Sequence, residues 1–211
     1  MIGAVTSLVL ASASPARLAL LRASGIHPDV VVSDVDEDAV EAAARTRNPY
    51  LDAAGLAQVL AEAKGTAVRK GLAGDDRLVL ACDSVLEIDG VVLGKPGTPE
   101  VATQRWQQIR GRSGVLHTGH WLIDPRAGRA VGAPASAGVQ FADATDEQIA
   151  GYVATGEPLH VAGGFTIDGL GAPFVESIEG HPSTVIGLCL PLLRRLLTDL
   201  GVDWWDLAAA G

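Results

Sequence analysis

Short apolar runs alternate with helical stretches along most of this chain. Ser7 to Ala11 is a compact apolar run and predicts a buried strand. Ser12 to Ser14 predicts a turn, and Pro15 suits the first position of a helix that carries Leu18 and Leu21 and stops at Gly25. Asp29 to Ser33 predicts a second strand. Residues 34–50 are polar and acidic, end in Asn48-Pro49, and predict a loop with room for a short helix. Leu56, Val59, Leu60, Ala63, Ala67 and Val68 recur near helical spacing, so Asp52 to about Leu72 predicts the longest helix, broken at Gly74-Asp75-Asp76.

Leu78 to Ala81 predicts a further buried strand. Val85–Ile88 and Val91–Leu93 flank Asp89-Gly90, the signal of a two-residue hairpin. A helix from Pro99 to about Arg110 follows. Leu116–Ile123 and Ala130–Phe141 read as strands around a turn at Asp124 to Gly128, and Thr145 with Gln148 makes a capping box for a helix over 146–153. The glycines of 156–171 predict irregular loop, Phe174 to Ile178 a last strand, and Pro191 to Leu200 an apolar final helix with a frayed tail after Trp205. Hairpins mixed with helical connections predict an α/β fold with a mixed sheet, and residues 1–211 read as one domain with two lobes.

Composition narrows the function classes. With 48 % apolar and 19 % charged residues, the 211-residue chain is not of the disordered type. A net charge of −9 argues against a nucleic-acid polymer or an anionic membrane as partner. It leaves room for a phosphate ligand, since a few local cations and backbone amides suffice. Two cysteines are too few for a disulfide framework or a thiolate zinc site, which fits a reducing cytoplasm. No apolar run reaches the roughly 18 residues of a membrane helix. Ala11-Ser12-Ala13 has the small residues of a cleavage site, but no basic residue precedes it, so no secretory signal is expected.

Several segments carry candidate chemistry, each with a plainer reading beside it. Ser12-Ala13-Ser14-Pro15-Ala16-Arg17 joins a strand to a helix, where hydroxyls, free amides and Arg17 make an anion site or an ordinary serine cap. Asp34, Asp36, Glu37 and Asp38 suit a hard divalent cation or a solvated acidic loop. Asp34-Val35-Asp36 also mimics the nucleophile motif of haloacid-dehalogenase-like phosphomonoesterases. Asp83 in Cys82-Asp83-Ser84 follows a strand, where it can hold a metal, accept a proton from water, or form a turn. Lys95 in Gly94-Lys95-Pro96 offers a cation on a hairpin exit, without the spacing of a Walker loop. Lys64 taken alone is a surface lysine. His117 and His120 lie three apart on a strand and face opposite ways, so joint metal binding is not expected, and His117 alone is left to face a ligand.

In this order, these pieces resemble the Maf family of nucleoside triphosphate pyrophosphatases, from Leu8 to about Leu197. The family's Ser-x-Ser-Pro-Arg-Arg turn is matched by Ser12 to Arg17, its Asp-Glu pair by Asp36-Glu37, and its helix lysine by Lys64. Its Ala-Asp-Thr segment is matched by Cys82-Asp83-Ser84, Gly-Lys-Pro by Gly94-Lys95-Pro96, and its late motifs by Gly156 to Leu159 and Ile167-Asp168-Gly169. The chain departs at Ala16, which replaces the first arginine, with Arg112 and Arg126 as candidates to compensate. It departs also at Gly114, Val161 and Asp168, where the family carries histidine, lysine and glutamine.

The resemblance implies a long twisted mixed sheet around a central cleft, shared with the inosine triphosphate pyrophosphatases. It implies cleavage between the α- and β-phosphates of a nucleotide, with a divalent metal, Mg²⁺ or Mn²⁺. Asp83 and Glu37 would then be metal ligands, and Asp83, Glu37, Lys64 and Lys95 the catalytic set. Ser12, Ser14, Arg17, Ser84, Thr118 and Asp168 would contact substrate. A homodimer follows from the same likeness, and the family's link to septum arrest raises the regulator reading below; the cytoplasmic location is expected from the composition above. A non-catalytic nucleotide-binding division regulator and the phosphomonoesterase through Asp34 are the alternatives.

Overall fold

The computed structural model describes residues 7–208. Residues 1–6, which the secretory-signal reading partly concerns, and residues 209–211, the end of the expected frayed tail, lie outside the described residues. The elements are β1 (Leu8–Leu10), α1 (Pro15–Ala23), β2 (Asp29–Val30), α2 (Glu37–Arg47), α3 (Ala53–Gly71), β3 (Leu78–Ile88), β4 (Val91–Leu93) and α4 (Pro99–Ile109). They continue with β5 (Ser113–Asp124), β6 (Arg129–Phe141), α5 (Asp146–Ala154), short 3₁₀ turns, β7 (Val175–Glu179), α6 (Pro182–Ile186), α7 (Leu190–Leu200) and α8 (Trp204–Ala208). Seven strands pair in the order β2-β1-β3-β5-β6-β7, with β4 beside β3. β1 runs parallel to β2 and β3, whereas β3–β4 and β6–β7 are antiparallel. The fold is therefore α/β with a mixed sheet, as the pattern predicts.

Some elements differ from that reading. Residues 37–47 form a full helix, not a loop, because Asp36 caps it by accepting from Ala39 N at 2.9 Å and an alanine-rich run propagates it. β3 does not end at Ala81; it continues through Cys82-Asp83-Ser84 to Ile88, so Asp83 is a strand residue and not a turn former. The second strand is shorter than predicted. Residues 204–208 coil into α8, anchored by buried Leu207.

The chain divides into two compact units: residues 7–83, 118–135 and 187–208 of the first, and 84–117 and 136–186 of the second. In the first, strand alternation sorts the core. Leu8, Leu10, Leu78, Leu80 and Cys82 pack with Leu21 of α1 and the leucines of α7. Val9, Val79 and Ala81 turn the other way and pack with Val68 of α3. Two glycines let α3 lie close to the strands: a Cβ on Gly119 would sit 2.2 Å from Ala57 O, and one on Gly65 would sit 2.9 Å from Trp121 Cδ1. In the second unit Trp106 packs edge-on against Phe141, Tyr152 and Phe174, and its Nε1 donates to Gly164 O at 2.8 Å.

Candidate active site

The site is built on the α3 side of β3. Val79 and Ala81 face α3, so the alternation of the strand turns Asp83 the same way. Lys64 lies four residues after Leu60 and four before Val68, on the buried stripe of α3. Its ammonium donates to Asp83 Oδ1 and, at 2.8 Å, to Glu37 Oε1. The side chains of Lys64 and Asp83 are 11 % and 10 % exposed, whereas that of Glu37 is 46 % exposed. Glu37 reaches the lysine from the first turn of α2. One cation thus holds two carboxylates, from residues distant in sequence.

Burial pushes the Asp83 carboxyl above the ordinary carboxylate range, and the Lys64 and Arg17 cations pull it back only in part. The adjacent Cys82 thiol is pushed up to about 12 by burial, so it stays protonated and inert at neutral pH.

The acidic run at 34–38 resolves into separate tasks. Asp34 is exposed, Asp36 is the helix cap, and Glu37 meets Lys64. Among the described residues no group of three or more His, Cys, Asp or Glu side chains converges. The two carboxylates around Lys64 nevertheless suit a hard divalent ion. They are oxygen donors already gathered about a positive charge, and Mg²⁺ is typically held by one or two carboxylates together with substrate phosphates.

The β1–α1 turn supplies the other polar groups of this unit. Ser14 caps α1 by accepting from Arg17 N at 3.3 Å. Buried Ser12 accepts from Ser14 N at 3.2 Å and from Arg17 Nη1 at 3.0 Å. Arg17 is itself buried, and it also donates to Cys82 O and Gly187 O. Thr118 is fully buried in β5. Ser12, Ser14, Arg17, Glu37, Lys64, Asp83 and Thr118 all belong to the first unit, while Ser84, Lys95 and Asp168 belong to the second. There, Ser84 is half-buried in β3, and Lys95 and Asp168 are exposed. Arg112, a candidate to replace the missing arginine, is ion-paired with Asp89.

Three polar groups that the motifs include have partners that the motif reading does not name. His117 contacts Ser136 Oγ through Nδ1 at 2.8 Å and Glu87 through Nε2 at 3.1 Å. Buried His120 accepts the Cys189 amide at Nε2, 2.8 Å away, and burial followed by the Arg17 charge pushes its pKa down to about 4. Glu157 accepts from Tyr152, Thr166, Leu170 and Gly171. Burial opposes its charge, but these donors hold its carboxyl below the usual range. Neither glycine density nor strand alternation names such partners.

The family model for Maf-like protein matches residues 7–200. The chain is 55 % identical over 205 residues to the nucleoside triphosphate pyrophosphatase of Leifsonia xyli subsp. xyli, covering 95 % of each chain. It is 54 % identical over 202 residues to that of Streptomyces coelicolor, covering 96 % of this chain and 94 % of the relative. The solved structure of the Staphylococcus aureus Ham1 protein matches with a TM-score of 0.45 at 13 % identity, over 92 % of this chain and 95 % of that one, too slight a likeness to add to the fold described above.

Proposed function

The chain belongs to the Maf-like protein family, and from that premise we propose that it is a nucleoside triphosphate pyrophosphatase releasing a nucleoside monophosphate and pyrophosphate. The observation that carries the residue assignment is the bridge from Lys64 to both Asp83 and Glu37. Water attacks the α-phosphorus, a new P–O bond forms, and the bond from that phosphorus to the oxygen bridging the β-phosphate breaks. Asp83 takes the proton from the attacking water, a task favoured by a carboxyl raised by burial. Lys64 and Lys95 offset the negative charge that grows on the departing pyrophosphate. Ser12 and Ser14 hold a phosphate through their hydroxyl protons, since their oxygens already accept from the chain. Ser84 and Asp168 are further substrate contacts on the resemblance, whereas Thr118 is fully buried and is not among them.

Glu37 and Asp83 would hold a divalent ion, Mg²⁺ or Mn²⁺. When bound, such an ion screens the triphosphate charge and polarises its oxygens. Nucleoside triphosphates are abundant in the cytoplasm, which is where this chemistry is placed. No helix among the described residues is long and apolar enough to cross a membrane. A homodimer is proposed on family grounds, with light scattering as its test. The phosphomonoesterase reading is set aside, because Asp34 is exposed and the relatives named above are pyrophosphatases.

The decisive experiment is product analysis on a nucleotide panel with Mg²⁺ or Mn²⁺ and with chelator. Pyrophosphate and monophosphate are expected, and only with the ion present. Asp83→Asn should lower kcat by about 10²- to 10⁴-fold while the protein stays folded. Orthophosphate as the product, nucleotide binding without turnover, or an undiminished Asp83→Asn rate would each defeat the reading.

A further inference from the structure

Arg17 is the buried cation that the chemistry above leaves without a task. It and Leu21, one turn on, are the buried residues of α1. Its Nε donates to Gly187 O at 2.7 Å. Its Nη1 donates to Cys82 O at 2.8 Å and to Ser12 Oγ at 3.0 Å. These acceptors come from three segments: the β1–α1 turn, β3, and the turn before α7.

The Cys82 acceptor matters most. Its carbonyl shares a planar peptide group with the Asp83 amide. Fixing that carbonyl fixes the plane from which the Asp83 side chain departs. The Gly187 acceptor lies at φ +111°, a conformation that favours glycine. Two residues later the Cys189 amide is held by His120, so this turn is secured at both ends. Ser12 Oγ, the third acceptor, also accepts from Ser14 N. An arginine that grips phosphate turns its donor fork towards the ligand; here Nε and Nη1 are turned to the chain's own oxygens.

We propose that Arg17 is a positioning residue: it clamps the Cys82 carbonyl, the Ser12 hydroxyl and the Gly187 carbonyl together, orienting Asp83 and Ser12, and does not itself bind the substrate's phosphates. The inference rests on the assignment of Asp83 as the proton acceptor. Lysine does not substitute, because a single ammonium lacks the planar fork that spans these acceptors.

The test compares Arg17→Lys, Arg17→Ala and Asp83→Asn in a pyrophosphate-release assay. Binding of an α,β-methylene nucleotide analogue is measured by calorimetry, and folding by thermal unfolding. Arg17→Lys is expected to lose about a hundredfold in kcat, as a small misplacement of a reacting group does. Its KM and analogue Kd should rise by less than about tenfold, through the loosened Ser12 contact, so that the loss falls mainly on kcat. Added guanidinium ion should restore part of the kcat of Arg17→Ala, which keeps the test open if the lysine variant does not fold. An intact kcat with KM and Kd raised about tenfold or more would make Arg17 a phosphate contact and overturn the proposal. Unchanged kcat in folded Arg17→Lys, or failure of guanidinium to rescue Arg17→Ala, would overturn it too. A fully active Asp83→Asn enzyme would instead remove the premise, and is separately visible.

Discussion

Lys64 and Glu157 are each the hub of a polar cluster, and the two clusters are built on opposite terms. Lys64 is one nearly buried cation shared by two carboxylates, of which Asp83 is held above its ordinary pKa. Glu157 is one anion receiving neutral donors at 2.5–3.0 Å, from two hydroxyls and two backbone amides, and is held below its ordinary pKa. A carboxylate saturated with hydrogen bonds has little to gain from a proton, and its work is to shape the loop around it. A buried carboxyl pushed upward is ready to take one. The direction of the shift, more than the presence of charge, distinguishes the two clusters, and it accords with the roles proposed above for Asp83 and Glu157.

Three perturbations probe that contrast. The largest effect is expected from Lys64→Met. It leaves Asp83 buried beside a half-exposed Glu37 without their shared cation, at a cost of about 3–5 kcal/mol in denaturant unfolding, and abolishes turnover. A stable, active variant would erase the distinction. Next is acid. His120 is held down to about 4 in the folded protein against an ordinary value of 6.5. Between those values the unfolded chain binds a proton that the folded chain refuses, so stability is complete above the upper value and falls as pH drops towards the lower one. The loss totals about 3 kcal/mol, and urea midpoints measured across the range would show it. His120→Gln should flatten this slope. The depressed pKa of Glu157 acts lower, as its stabilisation is lost only when pH falls below the ordinary carboxylate range and through the folded value. The smallest effect is Glu157→Gln. Its amide turns a donor towards other donors and should cost about 1–3 kcal/mol, with faster hydrogen exchange at Leu170 and Gly171. A larger kcat loss here than in Lys64→Met would reverse the two roles.

Much of the fold was legible because local chemistry and tertiary structure agree. The Thr145–Gln148 capping box, the Asp89-Gly90 hairpin and the periodicity of α3 all appear where the pattern places them. The misreadings have physical causes. Four acidic residues obscured α2, although one of them is simply its cap. Asp83 looked like a turn former, yet a buried lysine lets an aspartate stay inside a strand. Lys64 passed for a surface residue, but a signal was present: it falls between Leu60 and Val68 on the apolar stripe. The hydrogen-bond partners of Arg17 were not legible, since backbone carbonyls carry no sequence signature.

Replacing glycine in helices with alanine is a common route to thermostability. Gly65 shows where that recipe backfires. The added methyl would lie 2.9 Å from Trp121 and 3.2 Å from Ala81, immediately beside Lys64. An engineer seeking a hardier enzyme would gain about 1 kcal/mol of helix propensity and displace the ammonium. The missing methyl group at Gly65 is a working part of the lysine's address.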